Sequence, residues 1–226
     1  MSKRPKKITI INPSDDEALT ERFQHTLRPF EFNDSFELNY VTLTGGPAHM
    51  VTQENIDSVA LPMAEIIKAD DTSDAFIIGC YADPGLWVCR EAAGKRPVFG
   101  INESAVLTAL SRGEKFGIIA IQPHAIRRHV RHMRQLGLLD RFAGERWIGL
   151  TAEDADDETK VAAAALKVGA ELRDLDGAEV VIIGVGAAGA FRAPLEEMLG
   201  VPVIDPVQAA VAMAMGQVTY SDPAGS

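Results

Sequence analysis

A repeat within the chain constrains its fold more than any other feature of the sequence. Ile77-Ile78-Gly79-Cys80, followed by Pro97-Val98, matches Ile182-Ile183-Gly184-Val185, followed by Pro202-Val203, at a constant offset of 105 residues. A repeat of about 100 residues is long enough for each copy to be a small domain. The match therefore predicts two similar structural units, although two ordinary strand–helix patterns can also agree by coincidence.

The pattern of apolar runs predicts the class of fold. Short β-branched runs alternate with segments of helical periodicity, an order typical of parallel sheets covered by helices. We predict an α/β fold of two similar βα lobes, residues 1–100 plus 205–226 and residues 101–204. The lobes are expected to be related by a pseudo-twofold axis, with the active site in the cleft between them. The predicted strands are Ile8–Ile11, Asn39–Leu43, Ala75–Gly79, Pro97–Ile101, Phe116–Ile121, Trp147–Leu150, Glu179–Ile183 and Val201–Ile204.

Cys80 is the residue best placed for chemistry. It follows an apolar strand and Gly79, and it opens the turn Tyr81-Ala82-Asp83-Pro84-Gly85 before a predicted helix. Backbone N–H groups and the dipole at a helix N-terminus favour a thiolate, so we predict a chemical role for Cys80. A buried structural cysteine is the alternative, and we interpret Cys89 in that way because it lies within the helix pattern.

Polar residues and glycines at other strand ends form a candidate substrate-binding set. Their amides, hydroxyl and backbone N–H groups can converge on a carboxylate or a cyclic imide, although Asn-Pro and Gly-Gly are also common turns. Ile11-Asn12-Pro13 also matches Ile121-Gln122-Pro123. A histidine at such a position binds substrate, transfers a proton or is a surface residue. The set is Asn12, Thr44, Gly45, Gly46, Tyr81, Gln122, His124, Val185 and Gly186.

Charge and length argue against nucleic acid and membrane as partners. The chain has 22 Lys+Arg and 32 Asp+Glu, for a net charge of −10, which repels a phosphate backbone. No apolar stretch reaches the ~20 residues of a membrane span. The basic N-terminus leads into a strand and two cysteines fit a reducing compartment, so a cytoplasmic location is expected.

Metal and cofactor signals are weak. His129 and His132 are three residues apart on a predicted helix but lack a third ligand, so we interpret them as part of an exposed basic helix face. Gly184-Val185-Gly186-Ala187-Ala188-Gly189 contains Gly-x-Gly-x-x-Gly, but no suitable acidic residue follows about 20 residues on. We predict no metal and no cofactor.

Five motifs together resemble the aspartate/glutamate/hydantoin racemase superfamily, most closely its hydantoin and allantoin racemases. They are Ile11-Asn12-Pro13, Gly46-Pro47, Gly79–Leu86, Pro97–Ile101 and Gly200–Asp205, and they cover nearly the whole chain. The resemblance implies two α/β lobes, no cofactor, and a cysteine from each lobe on opposite faces of a substrate carbon. One thiolate then removes the proton beside a carbonyl, and the other thiol returns a proton to the opposite face.

The chain departs from this pattern at the second cysteine. That cysteine falls on Val185, both by the family pattern and by the offset of 105. Valine carries no proton, so two-base racemisation requires a substitute such as His124 or a water. Ile121 and Gln122 also replace family threonines, which leaves the substrate open. The resemblance thus implies an isomerase-like enzyme with Cys80 as acid and base at a carbon next to a carboxylate or cyclic amide.

Three other functions stay open for a site with one cysteine. Arylmalonate decarboxylase, in the same superfamily, protonates an enediolate with a sole thiol, although that thiol belongs to the second lobe. A hydrolase would use Cys80 as its nucleophile, and a binding protein would use the same scaffold without catalysis. The expected partner is a small molecule in each case, and we expect a homo-oligomer.

Overall fold

The computed structural model describes residues 4–32, 34–150, 157–185 and 189–221. The chain divides into two compact units, residues 1–104 with 207–226 and residues 105–206. Each unit contains one four-stranded sheet in which every described strand pair is parallel. The predicted α/β fold with two similar units of parallel strands is confirmed.

The two sheets have the same strand order. The first has the order β2-β1-β3-β4 and the second β6-β5-β7-β8. Their strands are β1 (Lys6–Asn12), β2 (Phe36–Thr42), β3 (Ala75–Ile78), β4 (Val98–Gly100), β5 (Phe116–Ala120), β6 (Phe142–Trp147), β7 (Val180–Gly184) and β8 (Val203–Ile204). The helices that connect and follow them are α1 (Glu17–Leu27), α2 (Gln53–Ser58), α3 (Ala60–Ala69), α4 (Leu86–Ala93), α5 (Ile101–Leu110), α6 (Ile126–Leu136), α7 (Glu158–Asp174), α8 (Gly189–Leu199) and α9 (Pro206–Ser221).

The central strands β3 and β7 are buried because helices cover them. Every residue of β3 is buried, as are the first four residues of β7. Because successive side chains of a strand point to opposite faces, Phe76 and Ile78 share a core with α3 and α4. Val181 and Ile183 likewise share a core with residues of α7 and α8. Among the described residues, no helix combines the length and apolarity needed to cross a bilayer.

The internal repeat corresponds to equivalent elements of the two sheets. Val180 begins β7 and lies 105 residues after Ala75, which begins β3; Val203 begins β8 and lies 105 residues after Val98, which begins β4. These strands occupy the third and fourth positions of their sheets. The match at this offset therefore reflects common topology rather than coincidence.

The shorter sequence match, between Ile11-Asn12-Pro13 and Ile121-Gln122-Pro123, is wrong by two residues. Strand pairing places Ile11 beside Ile78 in the first sheet and Ile119 beside Ile183 in the second. Since Ile183 is the repeat partner of Ile78, Ile119 is the equivalent of Ile11. The sequence match aligned the prolines of two turns, whereas the strands end at different distances before those prolines.

The residue equivalent to Asn12 is consequently Ala120. Each is the last residue of its strand. The N–H of Leu43 donates to the Asn12 carbonyl at 2.9 Å, and the N–H of Ile148 donates to the Ala120 carbonyl at 3.0 Å. The same bond thus closes both strand ends, but only the first unit carries a polar side chain there.

The position of β6 differs from the sequence expectation. The predicted strand near Trp147–Leu150 was placed too late, because β6 ends at Trp147. The strand contains Gly144, Glu145 and Arg146, which conceal the apolar pattern of a strand. The side chains of Glu145 and Arg146 have partners within the unit: Arg146 makes a bidentate contact with Asp176 at 2.6 and 2.9 Å.

The predicted exposed basic face of α6 is wrong at His129. His129 is 4% exposed, and its Nδ1 lies 2.7 Å from Oε1 of Glu145, whose side chain is fully buried. The sequence offers no periodic signal for this contact, because its two partners lie on different elements. His129 is therefore part of the packing of α6 against β6.

Candidate active site

Cys80 lies just beyond the carboxyl end of β3, a central strand of the first sheet. It is partly exposed and makes no disulfide. Gly79 brings the chain out of the sheet: its N–H donates to the Ile11 carbonyl at 2.8 Å, and a Cβ there would lie 2.7 Å from the Phe23 ring. The glycine is thus required by close packing, and the thiol follows at the first position outside the core.

Cys89 has the inert environment that the sequence predicted. It is 0% exposed and packs in the core of the first unit. Burial raises the pKa of its thiol to about 11, because the apolar core disfavours the thiolate. Cys80 is therefore the more accessible of the two thiols.

A turn fixes the backbone that follows Cys80 in the sequence. The N–H of Asp83 donates to the Cys80 carbonyl at 2.9 Å, and Asp83 has a φ of +46°. This left-handed conformation is uncommon outside glycine, although aspartate tolerates it better than most residues. The turn ends at Gly85, the N-cap of α4.

The Asp83 carboxylate connects this turn to the start of α5. It is 7% exposed, and its oxygens accept bonds from the N–H groups of Asn102 at 2.9 Å and Glu103 at 2.8 Å. The pKa of Asp83 is raised from 3.8 to about 7, mainly by burial and to a smaller extent by the nearby Glu103 carboxylate; the two amide donors and Arg90 lower it and offset part of this rise.

Asn102 connects α5 back to the same turn. Its Nδ2 donates to the Tyr81 carbonyl at 2.9 Å, and Asn102 itself is 1% exposed. Tyr81, which the sequence placed in the substrate-binding set, is 5% exposed. Its backbone carbonyl accepts this bond, which connects the turn to α5.

The Asn12 amide is occupied by the protein itself. Asn12 is 0% exposed; its Nδ2 donates to the Asp16 carbonyl at 2.8 Å and to Thr20 Oγ1 at 3.0 Å. Its Oδ1 accepts from the N–H and the hydroxyl of Ser14 at 3.0 and 2.8 Å. Both donors and both lone pairs are thus used, so a contact with substrate would require Asn12 to exchange one of these bonds.

The loop after β2 is also held by internal bonds. The N–H of Gly45 donates to Asp15 Oδ2 at 3.1 Å, and that of Gly46 donates to the Leu43 carbonyl at 3.1 Å. These two groups, expected to meet a substrate anion, therefore already have acceptors. Thr44 is exposed at the same edge of the sheet.

The second unit presents a different set of residues at the corresponding strand ends. Gln122 and His124 are exposed in the 3₁₀ turn that follows β5. Val185 follows β7 and is partly exposed, with its N–H donating to the Ile183 carbonyl at 2.8 Å and its side chain against the core of the unit. Gly186 lies outside the described residues.

The register makes Val185 the structural equivalent of Cys80. Gly79 and Cys80 follow Ile78, just as Gly184 and Val185 follow Ile183. One unit therefore carries a thiol at this strand end, and the other carries an aliphatic side chain. Within the described ranges, no cluster of three His, Cys, Asp or Glu side chains is arranged to hold a metal ion.

Asp83 and Asn102 are the residues at this site that sequence reasoning missed. Asp83 was interpreted only as a turn former in Asp83-Pro84-Gly85. A usable signal was nevertheless present: α5 begins directly after β4 with Gly100 before it, and a glycine has no side chain to cap a helix. Such a helix start calls for a cap from elsewhere in the chain.

Comparison with known proteins identifies the class of the protein. A hydantoin racemase of Paenarthrobacter aurescens is 30% identical over 215 residues, covering 92% of this chain and 89% of the relative. A hydantoin racemase of Pseudomonas sp. (strain NS671) is 30% identical over 212 residues, covering 92% and 84%. The solved structure of an allantoin racemase from Klebsiella pneumoniae has a TM-score of 0.87 at 27% identity, covering 95% of this chain and 88% of that one.

These similarities, with the two-unit parallel α/β fold, define an isomerase of the racemase type. The family model of Asp/Glu/hydantoin racemases matches residues 8–214. The chain belongs to the Asp/Glu/hydantoin racemase family, as its motifs predicted.

Proposed function

We propose that this chain is a cofactor-independent enzyme that acts at a carbon next to a carboxylate or cyclic amide, with Cys80 as its acid and base. The observation that carries the proposal is the contrast between Cys80 and Val185 at equivalent strand ends. Relatives named hydantoin racemase and allantoin racemase favour a cyclic amide as the substrate.

The proposed chemistry takes place on one face of the substrate. A Cys80 thiolate removes the proton from the carbon, and the adjacent carbonyl takes up the electron pair as an enolate. The thiol then exchanges its proton with water and returns a proton to the same face. Val185 has no proton to donate from a second face, so exchange of the proton is expected to exceed inversion of the centre.

Substrate binding is proposed to use the exposed polar groups at the strand ends. Thr44 in the first unit and Gln122 and His124 in the second are exposed, and each carries a group that can bond to a carbonyl or imide. Backbone N–H groups near Val185 and Gly186 complete the proposed set. The buried Asn12 amide supports the loop rather than the substrate in this proposal.

Hydrogen exchange in D2O tests the proposal directly. Each enantiomer of a 5-substituted hydantoin is incubated near pH 7 with the protein, and α-deuterium is measured by NMR and inversion by chiral chromatography. The expected result is faster deuterium uptake in one enantiomer with little inversion, abolished by Cys80→Ser and retained by Cys89→Ser. Full turnover by Cys80→Ala would refute the role of Cys80, and equal rates of exchange and inversion would refute the one-sided mechanism.

The same assay separates the other functions of a one-thiol site. Substituted malonates that release CO2 would indicate a decarboxylase, and ring opening of the hydantoin would indicate a Cys80-nucleophile hydrolase. A ligand-induced rise in melting temperature without exchange, CO2 release or hydrolysis would indicate a binding protein. Each of these outcomes would replace the proposed exchange activity.

A further inference from the structure

We infer that Asp83 and Asn102 are positioning residues for Cys80, holding the loop that carries the thiol against the first turn of α5. For turnover this inference rests on the proposed function, but the placement of the thiol can be tested without a substrate. The contacts that support it lie within the first unit. They join two segments that are 19 residues apart in sequence.

Asn102 and Asp83 each hold the loop at a position close to Cys80. Asn102 Nδ2 binds the carbonyl of Tyr81, the residue directly after Cys80. The Asp83 side chain binds the N–H groups of Asn102 and Glu103, while its own N–H binds the Cys80 carbonyl. These hydrogen bonds thus fix the backbone at positions 80, 81 and 83, from which the Cys80 side chain extends.

The loop and α5 stabilise each other, because the loop caps the helix and the start of the helix holds the loop. The first N–H groups of a helix have no partner within the helix, and α5 starts immediately after Gly100 in β4. Asp83 supplies the acceptors for two of these groups. A loop that moved Cys80 would therefore uncap the helix, so the start of α5 resists displacement of the thiol.

Gly100 shows that the space around the carboxylate is already filled. A Cβ at this position would lie 2.2 Å from Asp83 Cγ and 2.3 Å from Oδ2. Only glycine at position 100 allows the Asp83 carboxylate to reach both N–H groups. Gly100→Ala therefore breaks the same attachment without changing the chemistry of Asp83 or Asn102.

The test compares the reactivity of the two thiols in folded protein. Iodoacetamide modification of Cys80 and Cys89 is followed by mass spectrometry in wild type, Asp83→Asn, Asn102→Ala and Gly100→Ala. We expect Cys80 to be modified at least about fivefold faster in each variant because the loop is released. Buried Cys89 should stay unmodified, which distinguishes a released loop from global unfolding.

Asp70→Asn is the matched control. Asp70 caps the end of α3 at the opposite end of β3, and its carboxylate accepts bonds from the N–H groups of Thr72 at 2.7 Å and Ser73 at 3.0 Å. It should lower the melting temperature without accelerating modification of Cys80. If Asp70→Asn and Asp83→Asn accelerate modification equally, or if neither does, the positioning role is refuted.

Turnover of the substrate that the D2O assay identifies provides a second test of the positioning role. Misplacement of a catalytic group by about 1 Å can cost about 10²-fold in rate. The three variants should therefore lower kcat by about ten- to a hundredfold while KM changes little, whereas a merely structural role would leave kcat per folded molecule unchanged. If wild type shows no turnover but the Cys80 reactivities differ as expected, the proposed function fails and the positioning stands.

Discussion

Gly100→Ala should destabilise the first unit, because the new methyl group would overlap the Asp83 carboxylate and displace it. The added Cβ would lie 2.2, 2.3 and 2.6 Å from Cγ, Oδ2 and Oδ1 of Asp83, well inside the 3.5–4.0 Å of ordinary carbon contacts. The carboxylate must move, and it then loses its bonds to the N–H groups of Asn102 and Glu103, at 2.9 and 2.8 Å.

The magnitude follows from those two bonds. At pH 8, where the Asp83 carboxyl with its pKa of about 7 is mostly ionised, hydrogen bonds to a charged group are worth about 1.5 kcal/mol or more each, so the free energy of unfolding should fall by about 3 kcal/mol. In an Asp83→Ala background there is no carboxylate to displace, and Gly100→Ala should cost less than about 1 kcal/mol there. The double-mutant cycle should therefore give a coupling energy of about 2 kcal/mol or more.

Urea unfolding measures this coupling in the correct unit. The chain has two tryptophans, Trp87 in the first unit and Trp147 in the second, so Trp147→Phe leaves fluorescence that reports on the first unit alone. All four corners of the cycle are measured in that background. Equal costs of Gly100→Ala with and without the Asp83 side chain would refute the reasoning, because the contact with the carboxylate would then not be the cause.

Three further results are expected. Val185→Cys should raise the ratio of inversion to deuterium exchange by about 10²-fold, measured by chiral chromatography and NMR; an unchanged ratio would show that this strand end does not face the reacting carbon. Because burial raises the pKa of Asp83 from 3.8 to about 7, its contribution to stability is complete below pH 4 and lost as pH rises through 7. Wild type should lose about 4 kcal/mol more than Asp83→Asn between pH 4 and pH 8, by urea titrations at each pH. His129→Leu should lower the free energy of unfolding by about 3 kcal/mol, because it leaves the buried Glu145 carboxylate without its hydrogen-bond partner. Adding Glu145→Leu to this variant should recover most of that loss. If the double variant instead loses the sum of the two single losses, the reasoning is contradicted.

Apolar patterning was sufficient to predict the central strands. Ala75–Ile78 and Val180–Ile183 are buried, and strands covered on both faces have continuous apolar sequences. The edge strand β6 carries Glu145 and Arg146, and its charges gave no strand signal. Each of these two side chains has a hydrogen-bond partner elsewhere in the chain, which a sequence pattern does not reveal.

The candidate site shows the same limit. The turn chemistry after Gly79 was enough to single out Cys80, since a glycine and Asp-Pro-Gly mark the point where a buried strand ends. The role of Asn12 was harder to predict, because only the folded loop shows that Ser14, Asp16 and Thr20 use all of its hydrogen-bonding groups. The sequence identifies which polar groups lie near a strand end, but the partners that occupy them come from tertiary structure.

The capping of α5 by Asp83 has a consequence for the motions of the loop. The Asn102 and Glu103 amides bond to the Asp83 carboxylate, so they can exchange their hydrogens with solvent when that carboxylate releases them. Their protection factors therefore measure the free energy needed to open the loop that holds Cys80. A small molecule that orders this loop would slow exchange at these two amides, and would reveal its binding before any reaction had been found.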